Sequence, residues 1–193
     1  MPLILASNSD IRRHLMTQAG VDYRVMSPDF DEAPSKRAHA GNGASLARLL
    51  AERKAQSVRA GPDDWVIGSD SVVSVDGELF SKPRDRAEAA DHLAAFSGRT
   101  MLLSSAVALV FDGQLDWSHA DTARLSVRPL SATFIDSYLD AEWPAIAYCA
   151  GAFRMEGRGA TLFSAVDGSH FTILGMPLLP LLGALRDRGV LPS

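Results

Sequence analysis

The amino-acid sequence predicts an α/β protein, because short apolar strand-like runs alternate with amphipathic helix-like segments along most of the chain. The length of 193 residues suits one domain over 1–193, or two lobes around one cleft. A composition of 47% hydrophobic and 22% charged residues is typical of a globular protein with a sizeable core. Two Asp-Gly pairs between apolar runs add hairpin signals.

The first half of the chain predicts a strand that leads directly into a helix, then a loop, a second helix and a buried strand. Ser9 or Asp10 is the expected N-cap of the first helix, and Gly20 follows its end. The predicted segments are a strand at 3–6, a helix at 10–19, a loop at 27–43, a helix at 44–60 and a strand at 65–67 that ends in 68–70.

The second half predicts hairpins, three helices and a glycine-rich loop. Asp76-Gly77 and Asp112-Gly113 mark the hairpin turns, Ser131 is an expected N-cap, and Pro177 suits the first turn of the last helix. The predicted segments are a hairpin at 71–80, a helix at 86–96, strands within 101–127, a helix at 131–139, a loop at 147–159, a strand at 161–166 and a helix at 177–188.

The overall charge and the cysteine content limit the partners. A net charge of −4 argues against nucleic acid and membrane surfaces, which require a basic face, but permits a small anionic substrate if positive groups cluster. The single cysteine, Cys149, excludes an internal disulfide framework and a cysteine-rich metal site. The sequence contains neither a signal-peptide pattern nor a long apolar run, so we expect a cytoplasmic protein.

The segment from Leu3 to Arg13 predicts a site for an anion. Backbone N–H groups at a helix N-terminus carry partial positive charge, and Arg12 and Arg13 add guanidinium groups that suit phosphate oxygens. Ser7 and Ser9 lie in the turn before the helix. The alternative interpretation is an ordinary capped helix with two solvated arginines.

Further polar residues follow apolar runs or lie beside prolines. Asp70 is expected at the carboxyl end of its strand, where a carboxylate binds a divalent cation or accepts a proton from water. Lys82 precedes Pro83, which restrains its backbone, and Lys54 lies on a predicted helix. The alternatives are a turn-capping aspartate and two solvated lysines.

Taken in order, these segments resemble the Maf family of nucleoside triphosphate pyrophosphatases, over nearly the whole chain. The ordered set is specific although each motif is weak alone. The motifs are Leu-Ala-Ser-x-Ser-x-x-Arg-Arg at 5–13, Asp-Phe-Asp-Glu at 29–32, Leu-Ala-x-x-Lys-Ala at 50–55, Gly-Ser-Asp at 68–70, Lys-Pro at 82–83, Leu-x-x-Phe-Ser-Gly at 93–98, Cys-Ala-Gly-Ala-Phe at 149–153, Glu-Gly at 156–157 and Gly-Met-Pro-Leu at 175–178.

The resemblance implies a Maf- and ITPase-like fold, with a twisted mixed sheet flanked by helices and two lobes around a deep cleft. It implies hydrolysis of a nucleoside triphosphate to the monophosphate and pyrophosphate with Mg²⁺ or Mn²⁺, and it suggests a homodimer. By similarity, Asp70 is the catalytic proton acceptor or a metal ligand, and Glu32 assists the metal. The residues expected to hold the triphosphate are Ser7, Ser9, Arg12, Arg13, Lys54 and Lys82.

Within the family, the chain looks most like the subgroup that hydrolyses 7-methyl-GTP. Two residues, Asp10 and Ile11, separate Ser9 from the arginine pair Arg12-Arg13. Glu156 occupies the position at which the dTTP/UTP subgroup has glutamine. A carboxylate only accepts hydrogen bonds, which matches the N1–H and N2–H₂ donors of guanine. The chain departs from the subgroup at Ile11, where that subgroup typically has Trp, and at Ser71, where it has Gln.

Two other functions fit the same resemblance. One is a pyrophosphatase of dTTP/UTP or of broad range. The other is a non-catalytic nucleotide-binding regulator of cell division, since relatives of the family have been linked to septum formation. Only an enzyme releases pyrophosphate in a metal-dependent way, so that product separates the two classes.

Overall fold

The computed structural model describes residues 2–192 and has the mixed α/β architecture that the sequence predicts. Within these residues no helix combines the length and apolar character needed to span a bilayer. The elements are β1 (Leu3–Ala6), α1 (Asp10–Gln18), β2 (Arg24–Val25), α2 (Glu32–Ala38), α3 (Gly43–Gln56), β3 (Trp65–Val75), β4 (Glu78–Phe80), α4 (Arg86–Phe96), β5 (Thr100–Phe111), β6 (Gln114–Val127), α5 (Ala132–Glu142), a 3₁₀ turn (Arg158–Leu162), β7 (Phe163–Asp167), α6 (His170–Ile173) and α7 (Leu178–Asp187).

The strands of the described residues form one seven-stranded sheet in the order β2-β1-β3-β5-β6-β7, with β4 paired to β3. β1 is parallel to β2 and β3, with Leu3 opposite Trp65 and Ala6 opposite Gly68. β4 and β7 run antiparallel to β3 and β6. The mixed sheet flanked by helices therefore confirms the predicted fold class.

Both predicted hairpin turns are confirmed. Asp76 and Gly77 have φ of 51° and 86°, and Asp112 and Gly113 have φ of 47° and 72°. Two consecutive residues with positive φ are what a type I′ turn requires, and Asp-Gly is one of the pairs that adopts it most easily.

The chain divides into two compact units. Unit 1 comprises Met1–Ser71, Ser104–Asp121 and Ser169–Ser193, and unit 2 comprises Val72–Leu103 and Thr122–Gly168. In unit 1, β1 is buried on both faces, since Leu5 packs in one apolar cluster with Met16, whereas Ile4 packs in another with Ala55. Such two-sided burial is typical of a parallel strand covered by helices.

Unit 2 contains the hairpin of β3 and β4, helices α4 and α5, and β7 with the loops around it. Phe80 of β4 packs edge-on against Phe96 of α4, with ring centroids 4.7 Å apart. Arg86 of α4 donates hydrogen bonds to the carbonyl oxygen of Asp136 and to Asp140 Oδ1 of α5. An aromatic cluster and surface ion pairs thus contribute to the packing of this unit.

The predicted loop at 27–43 is wrong over part of its length, because Glu32–Ala38 forms α2. Pro34 suggested a loop, but it lies in the first helical turn, where the missing N–H group has no partner inside the helix anyway. Asp31 is the N-cap, and its side chain accepts a hydrogen bond from the Ala33 N–H group at 2.9 Å. Helix α6 was also not predicted.

The expected end of the strand near Asp70 is wrong as well. β3 continues through Asp70 to Val75, so the carboxylate projects from the middle of a strand. The polar residues do not end the strand because their side chains find partners while the backbone stays extended. Since β1 ends at Ala6, opposite Gly68, Asp70 lies just beyond the carboxyl end of its parallel neighbour.

Candidate active site

Lys54 lies between two carboxylates of unit 1. Its Nζ is 2.5 Å from Asp70 Oδ1 and 2.6 Å from Glu32 Oε1. The side chains of Lys54 and Asp70 are 12% and 9% exposed, so this contact is largely shielded from water. Three predicted site residues that are far apart in the sequence therefore meet at one ammonium group.

Gly68 allows the side chains of Lys54 and Asp70 to come into contact. A Cβ atom at Gly68 would lie 2.0 Å from the backbone oxygen of Ala51 and 2.8 Å from the backbone nitrogen of Ala55. Only glycine permits helix α3 to approach β3 so closely. Lys54 follows Ala51 by one helical turn, and Asp70 follows Gly68 on the strand, so the close approach brings their side chains together.

Glu32 is held by a second lysine. Lys36 Nζ lies 2.7 Å from Glu32 Oε2, one turn along α2. Burial of Glu32 opposes its ionisation, but the hydrogen bonds from Lys36 and Lys54 outweigh that effect and lower the pKa of Glu32 to about 2. The group is therefore a carboxylate at neutral pH.

Arg12 faces the same carboxylates. Its Nε donates to the Gly175 carbonyl oxygen at 2.9 Å, and its Nη2 donates to Ser71 Oγ at 3.0 Å. Burial lowers the pKa of the Arg12 guanidinium, whereas the negative charges of Asp70 and Glu32 act in the opposite direction. Arg12 thus adds a third cation to the cluster, and its two hydrogen bonds fix the orientation of the guanidinium.

The turn before α1 contributes hydroxyl and backbone groups. Ser7 is buried, and its Oγ accepts a hydrogen bond from the Ser9 N–H group at 3.2 Å. Ser9 is the N-cap of α1, one of the two predicted candidates, but within residues 2–192 its side chain makes no capping hydrogen bond. Ile11 and Arg13 are both half-buried in the first turn, and Arg13 pairs with the exposed Asp10.

Lys82 and Glu156 belong to unit 2, and both are exposed. Each acts electrostatically on the thiol of Cys149, whose pKa is raised by burial and by the charge of Glu156 and lowered in part by Arg154 and Lys82. The raised pKa favours the protonated thiol, which is not the nucleophilic form of cysteine. Arg154 forms its ion pair with Glu142, at 2.9 Å.

Sequence reasoning missed several residues that orient the cluster. Lys36 stands four residues after Glu32, a spacing that indicates an ion pair only once the segment is known to be a helix. The Gly175 carbonyl accepts hydrogen bonds from Arg12 and Ser69, which no local pattern could reveal. Ser105 lies in a buried strand, where an isolated hydroxyl gives little signal.

The donor set suits a hard divalent cation that arrives with phosphate groups. Within residues 2–192 no group of three or more His, Cys, Asp or Glu side chains is arranged to hold a metal ion. Glu32 and Asp70 nevertheless supply two carboxylates. Mg²⁺ usually takes only one or two protein carboxylates and completes its shell with water and phosphate oxygens. Glu32 and Asp70 therefore supply oxygen ligands of the type and number that Mg²⁺ or Mn²⁺ takes, and the ammonium group of Lys54 lies between them.

Fold and site together define an α/β protein that places buried acids and cations beside a helix N-terminus. The chain matches the family model described as Maf-like protein over residues 2–188, and it belongs to this family. It is 43% identical to a nucleoside triphosphate pyrophosphatase from Nitrobacter winogradskyi, over 98% of this chain and 95% of that one. It is also 43% identical to a 7-methyl-GTP pyrophosphatase from Rhizobium etli, over 98% and 97% of the two chains.

A solved structure shares the fold at low sequence identity. The Staphylococcus aureus Ham1 protein superposes with a TM-score of 0.51 and 16% identity, covering 98% of this chain and 100% of that chain. This similarity supports the α/β fold that the resemblance implied.

Proposed function

We propose that this protein hydrolyses a nucleoside triphosphate to the monophosphate and pyrophosphate. The observation that carries the proposal is the contact of Lys54 with both Asp70 and Glu32, with Arg12 facing the same acids. Cations bind the phosphates, and carboxylates activate water or hold a metal. The full-length similarity to relatives named as pyrophosphatases supports the same reaction.

The cations supply the electrostatic stabilisation. One opposite charge about 4 Å from a phosphate oxygen contributes roughly 4 kcal/mol at an effective dielectric constant near 20. Arg12 and Lys54, with Arg13 and Lys82 as further phosphate ligands, offset the charge that builds up at the α-phosphorus. The surface ion pair with Asp10 does not prevent Arg13 from binding phosphate, because breaking an exposed ion pair costs at most about 1 kcal/mol.

Asp70 acts as the proton acceptor. Lys54 engages its Oδ1, which leaves Oδ2 as the atom that takes the proton while the water oxygen bonds to the α-phosphorus and the bond to the β-phosphate oxygen breaks. Glu32 and the remaining lone pair of Asp70 Oδ1 would hold Mg²⁺ or Mn²⁺, which would supply charge neutralisation at the phosphates. Ser7, Ser9 and the N–H groups at the start of α1 line the phosphate end.

Glu156 is proposed to favour 7-methyl-GTP. Its carboxylate matches the two neighbouring donors on the guanine edge. The alternative interpretation of Glu156 is a loop acid paired with Arg154 or Arg158, and of these Arg154 donates a hydrogen bond to Glu142. The cationic methylated base also favours an aromatic face. Phe153 and Trp143 are candidates for that aromatic face. Phe153 is buried against Phe163, whereas Trp143 is partly exposed and accessible for stacking.

We propose further that the enzyme removes modified nucleotides in the cytoplasm, where nucleoside triphosphates are used, and that it forms a homodimer. Cell fractionation and light scattering test these two statements. A membrane-bound fraction or a monomer at micromolar concentration would contradict them.

The main experiment measures pyrophosphate release from 7-methyl-GTP, GTP, UTP and dTTP, with and without Mg²⁺ or Mn²⁺. We expect release with either cation, highest for 7-methyl-GTP, and a loss of at least about a hundredfold in Asp70→Asn. Asp63→Asn, an exposed loop aspartate, is the isosteric control and should keep full turnover. Full turnover in Asp70→Asn contradicts the proposal, and a preference for UTP contradicts the role of Glu156.

A further inference from the structure

A chain of hydrogen bonds leads from Arg12 into the interior of unit 1. Arg12 Nη2 lies 3.0 Å from Ser71 Oγ, and Ser71 Oγ lies 2.9 Å from Ser105 Oγ. Ser105 Oγ lies 2.7 Å from the carbonyl oxygen of Thr172. Ser105 is fully buried, so its hydroxyl is shielded from water.

The chemistry of the groups fixes the direction of these hydrogen bonds. A carbonyl oxygen only accepts, so Ser105 gives its single hydrogen to Thr172. In its contact with Ser71, Ser105 must then accept, and Ser71 must donate. The lone pairs of Ser71 Oγ are therefore directed to the guanidinium of Arg12, which can only donate.

We propose that Ser105 is a positioning residue for Arg12 and acts through Ser71. The Ser71 hydroxyl lies near two acceptors, Ser105 Oγ at 2.9 Å and the Gly175 carbonyl oxygen at 3.1 Å, and its single hydrogen is shared between them. Without Ser105, that hydrogen would be donated to the Gly175 carbonyl alone. There it competes with Arg12 Nε, which donates to the same oxygen at 2.9 Å. The guanidinium would lose its fixed orientation at both nitrogens.

This inference rests on the proposed function, in which Arg12 binds phosphate, and it assigns Ser71 to the phosphate end of the substrate. The resemblance had suggested that Ser71 influences the choice of base. The two assignments differ in their consequence for a ligand without a base, because only the first affects the binding of inorganic tripolyphosphate.

Calorimetric binding of tripolyphosphate in the presence of Mg²⁺ provides the test. We expect Ser105→Ala and Ser71→Ala each to weaken binding by about three- to tenfold, because each removes an oriented hydrogen bond near a charged group. The double variant should be no weaker than Ser71→Ala alone, since Ser105 acts only through Ser71. Ser104→Ala removes the neighbouring buried hydroxyl, on the opposite face of β5, and should leave binding unchanged.

Several outcomes overturn the inference: unchanged affinity in Ser105→Ala, losses that add in the double variant, or no tripolyphosphate binding by the unsubstituted protein. If Ser105→Ala does not fold, Ser71→Ala in an Arg12→Lys background replaces it. No further loss in that background supports the inference, and an additional loss overturns it. The proposed function fails separately, if the unsubstituted protein releases no pyrophosphate from any nucleotide tested.

Discussion

Lys54 Nζ and Asp70 Oδ1 lie 2.5 Å apart although the two residues belong to different elements, helix α3 and strand β3. Their contact depends on Gly68, which touches neither charged group. Because Gly68 has no side chain, the backbone of α3 packs directly against β3. The geometry of the proposed catalytic pair is therefore set by backbone packing two residues away.

Substituting Gly68 with Ala should destabilise the fold and disturb the pair. The added Cβ would lie 2.0 Å from the Ala51 backbone oxygen, and backbone cannot move aside as a flexible side chain can. We expect a loss of about 2–4 kcal/mol in the free energy of unfolding, measured by urea denaturation.

Gly183→Ala is the matched control. Gly183 lies in α7 of the same unit, and a Cβ there meets nothing within 4 Å. Alanine in a helix interior is expected to stabilise by about 0.5–1 kcal/mol relative to glycine. Equal effects of the two substitutions would contradict the close-approach argument.

Removing the shared ammonium should leave two carboxylates without their counter-charge. We expect Lys54→Met to lower the free energy of unfolding by about 2–4 kcal/mol. Removing one member of a buried ion pair leaves the other as a buried charge that neither water nor a counter-charge stabilises. In the Asp70→Asn background the loss should be smaller, because one of the two charges is gone. Lys36→Met, at a partly exposed lysine, serves as the control, with an expected loss below about 1 kcal/mol. If Lys54→Met lowers the free energy of unfolding equally in the Asp70→Asn background and in the unsubstituted protein, the coupling is contradicted.

The alternation of elements and the turn residues made much of the fold predictable. Helices α1, α4 and α5 and both hairpins depend on local signals such as Ser9, Ser131 and the Asp-Gly pairs, and these were predicted close to their observed bounds. Helix α2 was missed because Pro34 breaks helices in their interior but not in their first turn.

The candidate site was predictable in its residue types and not in its contacts. The family motifs indicate the residues Arg12, Glu32, Lys54 and Asp70. Their spacing in the sequence does not show that the ammonium group of Lys54 contacts both carboxylates. The hydrogen bonds of Gly175 and Ser105 join segments that are distant in the sequence, so the local sequence pattern could not predict them.

The carboxyl group of Glu32 should titrate far below its ordinary value of 4.5. Its pKa of about 2 reflects hydrogen bonds from Lys36 and Lys54 that outweigh burial. A carboxylate with a depressed pKa contributes stability that is fully present above pH 4.5 and is lost as the pH falls towards 2. A carboxyl ¹³C NMR titration should show this, and Lys36→Met should raise the pKa of Glu32. A midpoint near 4.5 in the unsubstituted protein would contradict the two ion pairs.

The thiol of Cys149 reports on the charges that surround it in unit 2. Burial and the negative charge of Glu156 raise its pKa, whereas Lys82 lowers it. Because the thiolate is the reactive form, Glu156→Gln should speed alkylation by iodoacetamide at pH 8 about threefold, and Lys82→Met should slow it. Glu78→Gln, an exposed acid in strand β4, should leave the rate unchanged. In the Glu156→Gln variant the curve of rate against pH should also move to lower pH. If both substitutions change the rate in the same direction, the opposite electrostatic effects of Glu156 and Lys82 are wrong.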